Sequence, residues 1–415
     1  MSGKSEKELS VILNPERPFY LSGDPFEGCV RYDCSESRSV RRIEIKFSGR
    51  LKSAIVEKHP LATIYTTYRD RVWLFEESQN LLSGDDTTLE PGSHIWPFSF
   101  TIPTSVTPRK LKSWDVGPAL ERFPEQMLPP SFHLNARVKG LISGHYSITS
   151  YALVATLHFT DAALPTQDAA LPINILPVSA TPPPTSEHQH QATHEARGFD
   201  LLPPHSCPEN TNGLHQLLKP KPPTLRLRLT ATHPVYLIPT HPLPLSVTLA
   251  VLPPRPHDTP FPTAPTTPPP TFLVKSVRAR IKSKTTIAIT RTAEHSRTHS
   301  ATVHDVRLYD QGALVPGEEK EVAMGALGYV PASVHLSSLS RRYVMRVEVV
   351  VGMAGGERAF EVKGEAPVVV EALPEEAREE GRAAEMVKGG MAAAALEDVG
   401  GVLDVGLGVL GLVTL

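Results

Sequence analysis

Residues 90–103 read EPGSHIWPFSFTIP, and this stretch decides the fold. Pro91-Gly92 is a turn signal, and Trp96, Phe98 and Phe100 alternate as the apolar face of a half-buried strand must. Ile102-Pro103 closes the run, because proline has no N–H with which to continue a ladder. The same period of two recurs on either side. Ile43, Ile45 and Phe47 alternate with Glu44 and Lys46, and Leu153, Ala155, Leu157 and Phe159 alternate with Val154, Thr156 and His158. A strand with one apolar face needs a second layer to cover it, so the simplest architecture is a β-sandwich.

At 415 residues the chain is too long for one typical core, and two domains are expected. The first ~175 residues read as short strands separated by turns, without helical periodicity. Over 179–222 the character changes to TPPPTSEHQHQATHEARG and further prolines, which reads as an extended, disordered linker without alternation. Alternation resumes at Leu225, Leu227 and Leu229 and again at Tyr343, Met345, Val347 and Val349, marking a second β domain. The expected division is 9–178 and 223–373, with a proline-rich loop at 253–270 and an Ala/Glu/Gly-rich tail at 374–415. The halves also look related. Pro18-Phe19-Tyr20-Leu21 corresponds to Pro234-Val235-Tyr236-Leu237, and each half ends in a long strand beginning near a tyrosine, Tyr151 or Tyr343.

Beyond the alternation, the order of motifs resembles the arrestin family. Tyr20, Gly23-Asp24 and Gly28 form a Tyr-x-x-Gly-Asp-x-x-x-Gly pattern, which in arrestins lies between the first two strands. There follow residues 43–49, Leu74-Phe75, the Pro-Gly turn with WPFSFTIP, LPPSF at 128–132 and the strand from Tyr151. The match covers most of residues 9–160. Tyr236, residues 277–281 and RRYVMRVEVVV at 341–351 resemble the family's C-terminal domain, with Pro239-Thr240 where Gly-Asp would fall. The resemblance is to the fungal and α-arrestin branch. Visual and β-arrestins carry paired lysines in the first strand, where Ile12-Leu13 stand here.

The resemblance implies an all-β fold of two tandem, immunoglobulin-like sandwiches and a non-enzymatic adaptor role. Such adaptors join the cytosolic tails of membrane proteins to HECT-type ubiquitin ligases, whose WW domains grip PPxY motifs. No PPxY is present; Pro129-Pro130-Ser131-Phe132 comes near, with phenylalanine for tyrosine, and reads as a turn entering the fold. A retromer-like coat component is the alternative, and a sandwich enzyme or small-ligand binder the third reading.

Candidate chemistry is sparse. His188, His190, His194, His205 and Cys207 lie close together, but their spacing fits no structural zinc site and a solvated linker is expected, with no metal and no cofactor. Cys29 and Cys34 read as ordinary strand and turn residues; three cysteines, no Asn-x-Ser/Thr and a polar N-terminus favour the cytoplasm. There is no Gly-x-Ser-x-Gly elbow and no nucleophile beside a base, so no catalytic residue is expected.

A formal net charge of −2 lacks the positive excess of a nucleic-acid binder. Arg41, Arg42, Lys46, Arg50 and Lys52 nevertheless cluster, and alternation puts Arg42, Lys46, Arg50 and Lys52 on one side with Glu44 among them. These four are the candidate contacts for an anionic surface, either lipid head groups, as a peripheral membrane contact, or the acidic tail of a cargo protein. Pro262/Pro265 and Pro265/Pro268 give Pro-x-x-Pro spacings that read as spacer. The apolar end at 400–415 is shorter than a membrane span and carries Asp404, which reads as a disordered tail.

Overall fold

The computed structural model describes residues 8–58, 65–111, 120–122, 124–137, 144–197, 224–239, 241–256, 271–289, 296–328, 330–336, 338–353 and 358–375. Among them every regular element is a strand. Strands of six residues or more are labelled in chain order. The first eight are β1 Leu9–Asn14, β2 Pro25–Cys34, β3 Arg38–Lys58, β4 Tyr65–Leu89, β5 Gly92–Thr101, β6 Phe132–Arg137, β7 Gly144–Phe159 and β8 Gln167–Ile173. The others are β9 Glu187–Arg197, β10 Thr224–Pro234, β11 Pro242–Leu252, β12 Phe272–Ala288, β13 Ser296–Tyr309, β14 Glu319–Ala326, β15 Leu339–Met353 and β16 Ala359–Val370.

Four main sheets result. One is β1-β2-β5, and a seven-stranded sheet runs β6-β7-β3-β4 and on through Arg109–Leu111 and Leu120–Arg122, with β8 paired to β7. A third is β9-β10-β11-β14, and the fourth is built on β16-β15-β12-β13. The first two enclose a core of Phe26, Val30, Tyr32, Ile43, Ile45, Phe47, Phe98, Phe100, Leu153, Ala155 and Leu157, and the other two enclose one of equal character. The fold is therefore all-β, in sandwiches.

The quoted stretch explains itself locally. Gly92 has φ +147°, a backbone open chiefly to glycine, and starts β5. Phe98 and Phe100 are buried, while Trp96 packs half-buried at the margin. Pro97 interrupts no ladder, because β5 is an edge strand and its missing N–H faces away from β2. Gly28 is opposite Phe98, and a Cβ there would sit 2.2 Å from the Ile12 carbonyl oxygen. The Gly-Asp turn closes on the end of β5, with Gly23 N–H donating to Ile102 O at 2.8 Å and Ile102 N–H to Asp24 O at 3.0 Å.

The internal duplication extends into hydrogen bonding. Tyr151 Oη donates to Pro129 O and Tyr343 Oη to Pro331 O, both at 2.5 Å. Ser131 exchanges two bonds with Ile175, and Ser333 exchanges two with Val370. Tyr20–Leu21 pairs in parallel with Ile175–Leu176, and Tyr236–Leu237 with Val369–Val370. LPPSF is thus a buried corner: Leu128 is in the core and Pro129 and Pro130 are buried.

Two expectations need correction. The first half is not made of short strands only, since β3 has 21 residues and β4 has 25, against a usual ~5–6. Nor is 179–222 a linker without alternation. Residues 187–197 form β9 and pair with β10 over eleven rungs, from Glu187↔Pro234 to Arg197↔Thr224. The inward positions are His188, His190, Ala192, His194 and Ala196, a period of two carried by imidazoles and alanines instead of aliphatic side chains. Residues 198–223, the proline tract from 257 to 270 and the tail from 376 lie outside the described residues.

A further apolar cluster joins the two halves: Leu51, Ile55 and Val72 meet Ile287, Ile289, Leu336 and Leu339. Arg341 bridges the same place, its guanidinium 3.7 Å over the Phe132 ring and its Nε donating to Thr285 Oγ1 at 3.2 Å. Arg297 and Glu57 form an ion pair at 2.5 Å.

Candidate functional site

All four basic residues singled out in the sequence lie on β3, in the middle of the seven-stranded sheet. Their even numbering puts them opposite the side of Ile43, Ile45 and Phe47, which is buried, so they line the outer face. The structure divides them into two pairs. Arg42 donates from Nε to Asn80 Oδ1 at 2.9 Å and from Nη2 to Glu44 at 2.9 Å, and Lys46 lies 3.3 Å from Glu76. That end of the strand is neutralised by its neighbours.

Arg50 and Lys52 are different, and the reason is a register shift. Gly49 is opposite Phe75, but Arg50 is opposite Trp73, so β4 carries one extra residue, Leu74, at this rung. A regular ladder would have set the core residue Leu74 against Arg50. The bulge turns Leu74 into the core and brings the indole onto the outer face. The Arg50 guanidinium stacks 3.9 Å from the Trp73 ring centre, and its Nε is buried without a hydrogen-bond partner among the described residues.

One rung further, Lys52 is opposite Arg71. Burial holds both Arg50 and Lys52 below their usual pKa; Arg71 lowers both, Arg50 lowers Lys52, and Glu76 opposes for Arg50. Three cations and an indole therefore meet at one place, and the like charges raise each other's energy. An anion placed between them would relieve that repulsion. Arg109 also comes alongside, opposite Trp73 on the next strand. Sequence reading missed Arg71, Trp73 and Arg109. The run YRDRVW carries the needed alternation of Arg69, Arg71 and Trp73, but the bulge that aligns it with β3 has no local signature.

The remaining candidates place as follows. Cys34 is buried with Sγ directed to Glu36 O, and Cys29 is partly exposed in β2. His188, His190 and His194 point into the fold from β9, while His205 and Cys207 lie outside the described residues. Among the described residues no three His, Cys, Asp or Glu side chains converge as a metal site, and no helix is long and apolar enough to cross a membrane. A cavity of about 320 Å³ lies beside residues 179–183, lined also by Ile238, His241 and Glu371.

The geometry so far is a bulged sheet face above a sandwich whose turn, edge strand and first strands all occur in a fixed order. Residues 9–110 match the family model of the arrestin (or S-antigen) N-terminal domain. The matched arrestin segment runs from the first residue of β1 through β5, and so contains Arg50, Lys52, Arg71 and Trp73. Arrestins are in general non-enzymatic adaptors. No curated protein matches the chain.

Proposed function

We propose that this chain is a non-enzymatic, cytoplasmic adaptor of the fungal or α-arrestin type, and that it holds the acidic cytosolic tail of a membrane protein against the outer face of β3 and β4. The observation that supports this reading is the group Arg50, Lys52 and Arg71 around Trp73: two half-buried cations and an exposed one that repel each other and, among the described residues, form no ion pair, unlike Arg42 and Lys46. An extended acidic segment fits a flat sheet face better than a compact ligand does. It can place alternate carboxylates over Lys52 and Arg71 while an apolar side chain covers the indole.

The proposal retains the division at 9–178 and 223–373, with residues 187–197 joined to the second unit. It also carries the link to ubiquitination or endocytosis. Without a PPxY in this chain, a HECT-type ligase would have to engage another surface.

The test is binding of a fluorescent poly-glutamate peptide to the full chain. Lys52→Glu with Arg71→Glu should weaken it at least tenfold, and Arg42→Glu should leave it within twofold. Raising salt from 50 to 500 mM should weaken the wild type and flatten the difference. Equal affinity in all three proteins would sink the reading. Sedimentation with phosphatidylserine vesicles, sensitive to the same double reversal while the peptide is not, would assign the face to lipid instead.

A further inference from the structure

β9 closes one edge of the second sandwich with side chains that ordinarily prefer water. It runs beside β16, whose outer edge is paired among the described residues at Val369 and Val370 alone, so the carbonyls of Glu361 and Pro367 have no strand partner there. Imidazoles of β9 take that role. His188 Nε2 reaches Pro367 O at 2.8 Å and His194 Nε2 reaches Glu361 O at 2.6 Å. In return, Arg358 Nη2 donates to Arg197 O at 2.8 Å.

Between these two bonds lies a histidine pair. The His190 ring occupies the space where a side chain at position 364 would stand, since a Cβ on Gly364 would fall 2.0 Å from its Cγ. Its Nε2 is 3.2 Å from Nε2 of His233, which is only 1% exposed. Nδ1 of His233 donates to Pro234 O at 2.9 Å, so neutral His233 offers its Nε2 lone pair and His190 supplies the N–H. The line between the two nitrogens holds one proton. A second would set two N–H groups against each other in a place without a counter-charge among the described residues, with the His188 ring centre 5.5 Å from that of His233.

We propose that His188, His190 and His233 form an acid-sensitive fastening, which holds β9 across the open edge of β16 at neutral pH and releases it when the pair takes up a second proton. Release would free β9 from β10 and uncover the carbonyls of Glu361 and Pro367, while the first sandwich stays folded.

The surroundings support the sign. Burial is the main cause that pushes His233 down to about 4; the Pro234 hydrogen bond opposes it, and the neighbouring His190 and His188 push the same way. Burial and His188 lower His190 too. No carboxylate moderates either shift: on β9 Glu187 is exposed and Glu195 pairs with Arg197 and Arg255. On β16 Glu361 pairs with Lys363 and Glu365 is exposed, and on β10 the flanking Thr232 and Pro234 are uncharged. A base whose pKa is depressed by folding stabilises the fold above its ordinary value near ~6.5, and that contribution is lost as pH falls toward about 4.

Hydrogen exchange by mass spectrometry on the full chain, corrected for the intrinsic pH dependence of exchange, reads this directly. The peptide covering 187–197 should lose protection at least tenfold between pH 7 and pH 5, while peptides from β3 and β7 stay within twofold. His233→Gln should reduce the β9 loss to less than threefold. Should that variant fail to fold at pH 7.5 by circular dichroism, His190→Gln removes the same shared proton from the less buried partner and should do likewise. Unchanged β9 protection in the wild type at pH 5, simultaneous loss throughout the chain, or the same acid loss in a folded variant would each overturn the proposal.

Discussion

Gly28 shows how a single residue fixes the seam of the first sandwich. It sits on β2 between β1 and β5, opposite Leu13 and Phe98, and any Cβ would press on the Ile12 carbonyl oxygen at 2.2 Å and on the Phe98 ring at 2.7 Å. Backbone cannot give way as a flexible side chain can. Gly28→Ala should therefore destabilise the protein by about 2–3 kcal/mol, within the range for an overpacked core, read as a lowered midpoint of chemical denaturation. Tyr151 and Tyr343 give a paired test of the duplication. Each phenylalanine substitution leaves a proline carbonyl, buried at Pro129 and part-buried at Pro331, without its donor and should cost about 1–3 kcal/mol. The two changes lie in separate cores, so their effects on the denaturation midpoint should add.

Among the elements, β4 and β9 define what sequence reading can reach. The WPFSFTIP strand was legible because its period of two is written in aromatics, which score as core in any window. β9 has the same period, yet its inward positions are imidazoles and alanines, and the groups that satisfy His188 and His194 are carbonyls of β16 about 170 residues away. No local window contains that information. The candidate face was half legible: alternation placed Arg42, Lys46, Arg50 and Lys52 on one side, but charge pairing across strands decided which of them are free to bind. Gly364→Val tests the contact between β9 and β16, since the new side chain would fill the space of the His190 ring. It should raise exchange in 187–197 at neutral pH more than tenfold, with little change in β3 and β7. Trp73→Ala should weaken the acidic-peptide contact about three- to tenfold, in keeping with the loss of a partly desolvated cation–π partner for Arg50.

At the scale of the whole molecule, the two sandwiches are joined by a cluster that belongs to neither. Leu51 and Ile55 project from the far end of β3, and Ile287 and Leu339 from the second half, with Arg341 stacked on Phe132 at the junction. An arginine in this position is held by its ring contact and by Thr285, so Arg341→Ala removes packing as well as charge. The predicted result is a looser pair: one thermal transition should separate into two, and the radius of gyration by small-angle scattering should rise. A single unchanged transition would show that the apolar cluster suffices.

The sequence by itself determined that this chain builds β-sandwiches, where the arrestin-like motifs fall and which face of β3 is apolar, because a strand's side-chain period and its glycine and proline turns are local properties. Only the tertiary structure decided that Arg50 meets Trp73 and Arg71, and that a histidine-lined strand closes the second sandwich. Both depend on register, which is set by how strands distant in sequence slide to bury their cores, and a shift of one residue exchanges the partners on every rung that follows.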